Sequence, residues 1–538
     1  MLKQLVLVAL AAGLFGQVHA SPQNDFDLPF PGGAQALEAS AVLAEPDGPS
    51  DLAKDPVFGP SGRRTFGGIS VAGMKRVSET VRVVPWVERV PNGGSTILRH
   101  VGYYVIGKQI DSDGERWRAW ITRVNLSSTM DSTFGINGYL FTELQNDIAD
   151  AVVVDHKAYF LTSTYRLSSF ANVTRVICID LTTAAGDACF DTAADYQNWG
   201  ISPISNRRAA YGQRLLYDGR HGLYVAARIK TSGIGDQIGI TKLDLADASR
   251  DKSFADNGYF VGLPSWAAAS DVVAAVDALA MTPAGVPGTI RLYVGGRASR
   301  SASQTDGYIL GLDPVTGNIA PGWNWGSRAY AYEDDNNALG NDAVTALAVL
   351  RNGKLAYAGW SASFASGVSP LIMGRLNTDG SYDNTFCAGN PYRGATACRV
   401  DEVGPDQPAS LPVGLAERRQ NRDLLVAMRR QDTSSASTVD RYVHQELRQY
   451  SASGNTLHAK ASVFISANGG QTPWCPAHGV WMGGTGWWDD DLGTGVGEEV
   501  VAMIGDWRFM PDSQSGTLAH FVTTDSIFAD QFGGGFGD

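Results

Sequence analysis

One short tail recurs along this chain and limits what it can fold into. Asp131-Ser-Thr-Phe134-Gly135-Ile-Asn-Gly138-Tyr139 returns as Asp251-Lys-Ser-Phe254-Ala255-Asp-Asn-Gly258-Tyr259 and, shortened, at Asp383-Asn-Thr-Phe386. A further copy, Asp55-Pro-Val-Phe58-Gly59-Pro-Ser-Gly62, lies near the N-terminus, and Asp525-Ser-Ile-Phe528-Ala529-Asp530 repeats its first half near the C-terminus. With degenerate forms at Asp187 and Asp313, the spacings from Asp131 through Asp187, Asp251 and Asp313 to Asp383 are 56, 64, 62 and 70 residues. Self-similarity on that scale marks an array of supersecondary units that bury their faces against one another. Spacing this loose suits strands joined by variable loops. A residue that recurs with the unit serves the unit, so Asp is expected to bond turn amides, Phe to fill the space between sheets, and Gly to take positive φ.

Between the tails the chain alternates β-rich runs with turn-forming segments, which predicts seven hairpins. They are Ile97 to Lys108, Ala151 to Thr162, Leu215 to Arg228, Ala278 to Arg297, Ala346 to Trp360, Gly414 to Arg430 and Trp474 to Gly484. The clearest runs through Asn352-Gly353, the preferred pair for a two-residue type I′ turn. Third strands are predicted at Trp117 to Leu126, Val173 to Leu181, Ile238 to Leu245, Tyr308 to Leu312, Leu371 to Leu376, Val443 to Tyr450 and Val500 to Phe509. Small sheets of this kind have two edges and apolar faces, and they bury both by packing face to face around an axis. The expected fold is all-β, a β-propeller of about seven blades spanning residues 55–533. The orphan tail at Asp55 has no hairpin before it, so residues 55–66 are expected to supply an outer strand of the last blade and close the ring.

The motif Arg375-Leu-Asn-Thr-Asp379-Gly380-Ser-Tyr-Asp383, leading into Asp-x-x-Phe, resembles the bacterial delta-60 repeat family over most of residues 55 to 530. The resemblance implies an exported or surface-associated propeller-like array. It implies no shared catalytic residues.

Residues 1–20 carry Lys3, an apolar run from Leu5 to Phe15 and Val18-His-Ala20 before Ser21, the pattern of a signal peptide cleaved after Ala20. Residues 21–54, rich in Pro, Gly, Ala and Asp without a sustained period, read as a linker or arm, and residues 534–538 as a Gly-rich tail. No later stretch approaches the roughly eighteen apolar residues that a spanning helix needs. A net charge of −12 and a pI near 5.2 argue against nucleic acid as a partner. Of five cysteines, Cys178 and Cys189 have ten residues between them, and so do Cys387 and Cys398. In an exported chain this predicts two local disulfides and leaves Cys475 over.

Motifs that assign chemistry are missing. The chain contains no Gly-x-Ser-x-Gly, His-Glu-x-x-His or Walker-type loop. Apart from His19, its histidines stand at 100, 156, 221, 444, 458, 478 and 520 without metal-ligand spacing. Two acidic loops place several oxygens together, Asp334 and Asp335 in one and Asp489, Asp490 and Asp491 in the other. Such sets suit a hard cation such as Ca²⁺, although a solvated acidic loop is the favoured account and neither completes an EF-hand. Two aromatic pairs, Trp323 with Trp325 and Trp487 with Trp488, are candidate ligand platforms, because indoles beside acidic groups suit sugar rings. Inter-sheet packing is the competing account. Asp313-Pro-Val-Thr316-Gly317 followed by Trp323 resembles one blade motif of quinone-dependent dehydrogenases, but it occurs once, with the Trp two residues late.

The sequence thus points to a secreted or periplasmic monomeric propeller acting as a binding or interaction module of the bacterial envelope or exterior, with a glycan or a protein as its ligand. No catalytic residue and no cofactor other than Ca²⁺ is indicated. The competing class is an exported glycan-active hydrolase or lyase with carboxylates gathered at the axial mouth.

Overall fold

The architecture was taken from a computed structural model. It describes residues 52–54, 63–66, 74–92, 95–111, 117–144, 147–166, 171–183, 188–191, 207–217, 222–231, 235–245, 249–267, 273–283, 290–301, 304–321, 323, 341–361, 370–390, 397–399, 409–418, 421–433, 441–463, 477–484, 486–489, 494–496, 499–510 and 513–523. The chain divides into two units, Met1–Ala34 and Gln35–Asp538, and every described residue belongs to the second. Among the described residues all regular structure is β, and no helix is long and apolar enough to cross a membrane.

Two short strands, β1 (Leu52–Lys54) and β2 (Arg63–Phe66), precede runs of antiparallel strands that form six sheets among the described residues, the first and last of the groups below belonging to one 11-stranded sheet. The first holds β3 (Met74–Asn92), β4 (Ser95–Asp111), β5 (Trp117–Asn125) and β6 (Tyr139–Leu144). The second holds β7 (Ile148–Val154), β8 (Lys157–Arg166), β9 (Ala171–Asp180) and β10 (Ala188–Asp191), and the third β11 (Arg207–Tyr217), β12 (Gly222–Thr231), β13 (Gly235–Asp244) and β14 (Tyr259–Gly262). The fourth has three strands, β15 (Ala274–Met281), β16 (Leu292–Ser301) and β17 (Gln304–Leu312). The fifth holds β18 (Asp342–Val349), β19 (Leu355–Ser361), β20 (Leu371–Leu376) and β21 (Cys398–Arg399), and the sixth β22 (Ala409–Glu417), β23 (Leu424–Thr433), β24 (Arg441–Tyr450) and β25 (Leu457–Val463). The last holds β26 (Ala477–Gly484), the small pair β27 (Gly486–Asp489) and β28 (Thr494–Val496), β29 (Glu499–Met510) and β30 (Ser513–Thr523).

Each group packs on the next through its first strand. β3 touches β7, β7 touches β11, and the series continues through β15, β18, β22 and β26, which returns to β3. That closed circuit is a β-propeller, and it puts the first strands around its axis. Apolar cores lie between groups: Phe160 and Ile177 of the second pack with Ile106 and Ile121 of the first, and Leu161 and Val176 face Leu215 and Val225 of the third.

The chain ends meet as the orphan tail predicts. Residues Leu52 to Lys54 pair with Thr523 to Phe521, and Arg63 to Phe66 pair with Ala519 to Gly516, both antiparallel along the outer edge of β30. The tail residues 55–62 fall between these two strands and outside the described residues, as does Asp525. β1 lies inside the span expected as the end of the linker.

Two predicted hairpins are single strands instead. Ile97 to Lys108 belongs wholly to β4, whose partner is β3. Its glycines are not turns: a Cβ at Gly102 would collide with the carbonyl of Val124, and one at Gly107 with the Trp120 ring. Likewise Ala477 to Gly484 forms β26 alone, paired with β29, so Val500 to Phe509 is the second long strand of that group and β30 the third.

The tails have a common anatomy. Asp131 Oδ1 accepts from Thr133 N at 3.0 Å and Thr133 Oγ1 at 2.6 Å, and Asp383 Oδ1 accepts from Thr385 N at 3.0 Å and Thr385 Oγ1 at 2.6 Å. Phe134, Phe254 and Phe386 are buried beneath. The third strand supplies a cation: Arg123 lies 4.4 Å from the Phe134 ring centroid, and Arg375 lies 4.8 Å from that of Phe386. The positive-φ position is Gly135 in one copy but Ala255 and Cys387 in the others, with φ of 49° and 54°. These two non-glycine residues are held by donating their N–H groups to Thr316 O at 2.6 Å and Ser453 O at 2.7 Å.

Thr316 and Ser453 belong to the next group in each case, so the tails of groups three and five are each received by the group that follows. Groups one, three and five carry tails 120 and 132 residues apart, at Asp131, Asp251 and Asp383. Group four presents the turn at Asp313, whose Oδ1 accepts from Val315 N at 2.9 Å and Thr316 N at 2.7 Å, and which receives the tail of group three. Asp313 is therefore a receiving turn and not a degenerate tail. Asp187 lies outside the described residues.

Asp383 is the most strongly bonded tail carboxylate, with Lys354 Nζ and Arg375 Nε each at 2.7 Å. Burial would raise its pKa, but the hydrogen bonds from Lys354, Thr385 and Arg375 outweigh burial and hold the carboxyl well below the usual carboxylate range. A depressed folded-state pKa stabilises above the unfolded value of about 3.9, and that contribution is lost as pH falls below it. Asp383→Asn is expected to cost about 2 kcal/mol at pH 7, discounted for the partial exposure of Lys354. Its melting temperature should fall less steeply than that of the wild type between about pH 5 and pH 2; parallel pH profiles in the two proteins would refute this role.

Cys178–Cys189 and Cys387–Cys398 are disulfide-bonded, with Cα separations of 5.2 and 6.2 Å. Each closes a short loop, worth about 3 kcal/mol in the chain-entropy model. Cys475 lies outside the described residues.

Candidate functional site

Every first strand carries one extra residue at the same level. The register shifts fall between Thr80 and Arg82, Ile148 and Asp150, Gly212 and Arg214, Val276 and Ala278, Val344 and Ala346, Pro412 and Gly414, and Ala477 and Gly479. A bulge bends a strand and re-aims its side chain. Repeated around the ring, it produces an axial belt of bulged residues: Val81, Ala149, Gln213, Asp277, Thr345, Val413 and His478. All but Asp277 and His478 are half-buried, and the side chain of His478 lies outside the described residues.

Bonds within this belt run from one group to the next. Gln213 Oε1 accepts from Val276 N at 2.8 Å, and Thr345 Oγ1 donates to Pro412 O at 2.8 Å. The residue after the bulge does the same: Arg82 Nη1 stands 3.5 Å from Asp150 Oδ1, Asp150 Oδ2 accepts from Leu215 N at 2.9 Å, and Arg214 Nε donates to Asp277 O at 2.9 Å. Asp150 Oδ1 also takes Ala151 N at 2.9 Å. Asp277 departs from the pattern. It is 6% exposed, and its Oδ2 is buried without a hydrogen-bond partner.

A second set of buried charges lies where the first strands begin. Lys108 Nζ bonds Asp147 Oδ1 at 2.6 Å and stands 3.3 Å from Glu79 Oε2. Burial alone would lower the Lys108 pKa, yet the attraction of Asp147 and Glu79 raises it. Burial pushes the Asp236 carboxyl up against the opposing pull of Arg228, 3.6 Å away. Asp306 is fully buried and takes Arg300 Nη1 and Gln304 Nε2, each at 3.1 Å.

The residues singled out from sequence do not converge here. Trp323 is 3% exposed, its ring 4.9 Å from that of Tyr293 and its Nε1 3.4 Å from Thr378 O. It fills the space between the fourth and fifth groups, which corrects its reading as a ligand platform: an indole enclosed on both faces has no surface to offer. Trp325, Asp334, Asp335, Asp490 and Asp491 lie outside the described residues. Trp487, Trp488 and Asp489 are on β27, which pairs with Arg99 and His100 of β4, and their side chains are likewise undescribed. Among the described residues no group of three or more His, Cys, Asp or Glu could hold a metal ion. The axial belt went unseen in the sequence because Gln213, Asp277 and Thr345 share no local motif; only the recurring level of the bulge relates them.

No protein-family model matches the chain, and no curated protein does. Solved structures similar to it include the β-propeller domain of the Trilobed protease from Pyrococcus furiosus, at 9% identity and a TM-score of 0.36 over 80% of this chain and 95% of that one. An endo-arabinase from Bacteroides thetaiotaomicron matches at 13% identity and a TM-score of 0.30 over 57% of this chain and 91% of that one. A protein of unknown function from Dyadobacter fermentans matches at 9% identity and a TM-score of 0.37 over 84% of this chain and all of the other. Likenesses at this level transfer no residue and no activity. The fold rests on the registers and ring contacts above.

Proposed function

We propose that this chain is an exported, monomeric β-propeller that binds a glycan at the bacterial envelope or exterior, and that it is not a hydrolase. One observation carries the reading: of the two described axial carboxylates, Asp150 is committed to holding neighbouring groups together, bonded by Ala151 N, Leu215 N and Arg82, which leaves Asp277 without a second carboxylate to act with. A glycosidase needs two carboxyl groups free to face a sugar across roughly 5 to 9.5 Å. Asp147 and Asp306 are similarly engaged with Lys108 and Arg300. Two disulfides suit an oxidising compartment and support export, and the motif at Arg375 to Asp383 supports kinship with the delta-60 repeat proteins. A rigid ring whose ends carry the variable loops is an economical platform for recognition.

The test is affinity electrophoresis of the chain from Ser21 in gels containing envelope or cell-wall polysaccharides, with a parallel assay for released reducing ends. Retarded migration without reducing-end release is the expected result. Release that disappears in Asp150→Asn and Asp277→Asn would overturn it in favour of a glycan hydrolase.

A further inference from the structure

We infer that Cys189 is a site of reversible S-thiolation by small thiols, and that the Cys178–Cys189 disulfide exchanges in the folded protein while Cys387–Cys398 does not. The inference is independent of the glycan-binding reading. Its ground is an asymmetry between two bridges of equal span. Each joins cysteines 11 positions apart, and each ends on the fourth strand of its group, at Cys189 of β10 and Cys398 of β21. Cys178 is fully buried, in the core that joins Leu161 and Val176 of the second group to Leu215 and Leu223 of the third. Cys189 is exposed. The register of β10 on β9 pairs Ala188 with Ile179 and then Phe190 with Cys178, so Cys189 is the extra residue of a bulge on the outermost strand of its sheet. A bulged residue leaves the ladder and is re-aimed, and here it carries one sulfur of the bridge to the outer edge while the other stays in the core. The second bridge has no such exit. Cys387 and Cys398 are each 1% exposed, and both belong to a core shared with Leu415, Val426 and Tyr450 of the sixth group.

Thiol–disulfide exchange is an attack by thiolate on one sulfur of the bridge, and its rate depends on which sulfur can be reached. At the first bridge that sulfur is Cys189 Sγ. A thiolate bonds to it, the bond to Cys178 Sγ breaks, and the electron pair leaves with Cys178 as its thiolate, which is then protonated. The entering sulfur is oxidised and that of Cys178 is reduced. A second thiolate completes the reduction, or Cys178 attacks in reverse and expels the first. The freed Cys178 stays among apolar side chains, where a small thiol packs as a hydrophobe. β10 has only β9 as a neighbour in its sheet, and β9 keeps its pairing with β8, so the ring outlasts the opening. Enclosed sulfurs exchange only when the structure around them opens. At Cys387 that opening must also break the bond from its N to Ser453 O, 2.7 Å across the joint to the sixth group.

The experiment incubates the disulfide-bonded chain from Ser21 with reduced glutathione below its melting temperature, then quenches in acid, alkylates in denaturant and maps peptides by mass spectrometry. Chains with glutathione on Cys189 and the alkyl label on Cys178 should form at least about tenfold faster than any modified form of Cys387 or Cys398. The same reaction in guanidinium should open both bridges at rates within about twofold, because they close equal loops and only the fold distinguishes them. Glutathione on Cys178 in place of Cys189, equal rates at the two bridges in the folded chain, or a preference that persists in guanidinium would each overturn the assignment. A first bridge that stays closed until the chain melts would overturn it as well.

Discussion

Removing residues 21–66 should destabilise the whole ring by at least about 4 kcal/mol, while removing residues 21–50 should leave the melt unchanged. The difference lies in β1 and β2, which the second deletion spares. They are the outermost partners of β30, and without them its edge presents unpaired N–H and C=O groups to other chains. Phe66 adds a packing loss: it is 2% exposed, lies 6.1 Å from the Trp120 ring and shares a core with Val83 and Tyr103 of the first group and Ile504 and Leu518 of the last. It fastens the two ends of the ring together. The figure is that of an emptied aromatic core site alone, so the edge adds to it. Melting and gel filtration of the three chains provide the check, with aggregation expected only in the longer deletion. Equal melts and a single monomeric peak for all three would show that the ring closes without its N-terminal strands.

Phe254→Ala should cost about 3 to 5 kcal/mol, the usual consequence of emptying a packed aromatic site. Phe254 is fully buried, edge-on to Tyr224 at 5.9 Å, in a core that reaches from the third group to Val276, Val294 and Leu310 of the fourth. Its backbone is fixed as well, with N bonded to Asp251 O at 3.1 Å and O accepting from Gly258 N at 2.7 Å. The cavity therefore has little room to collapse. Because the site lies at a joint between groups, the loss should appear in the melt of the whole ring. A separate early transition would instead show that the third group unfolds by itself. A melt matching the wild type would place Phe254 outside the structural core.

Strand identity was legible in the sequence because it is local. Alternation with a period of two and turn residues identified five of the seven hairpins; β18 and β19 pair on either side of Asn352-Gly353, but only Gly353 of that pair takes positive φ, at 80°, so the connection is not the expected two-residue type I′ turn. The disulfides were legible for the same reason, since a short separation in an exported chain leaves few partners. In the missed hairpin at Ile97 to Lys108, glycine marks a close approach and not a turn, as Gly102 and Gly107 show. What only the tertiary structure decided were relations between faces. That tails and receiving turns alternate, that Trp323 is enclosed between groups, and that the bulges bring Gln213, Asp277 and Thr345 to one level depend on which strand edges and sheet faces meet around the ring. Those meetings join residues about thirty to seventy positions apart, where side-chain periodicity carries no information, and packing and hydrogen bonding across the joints settle them.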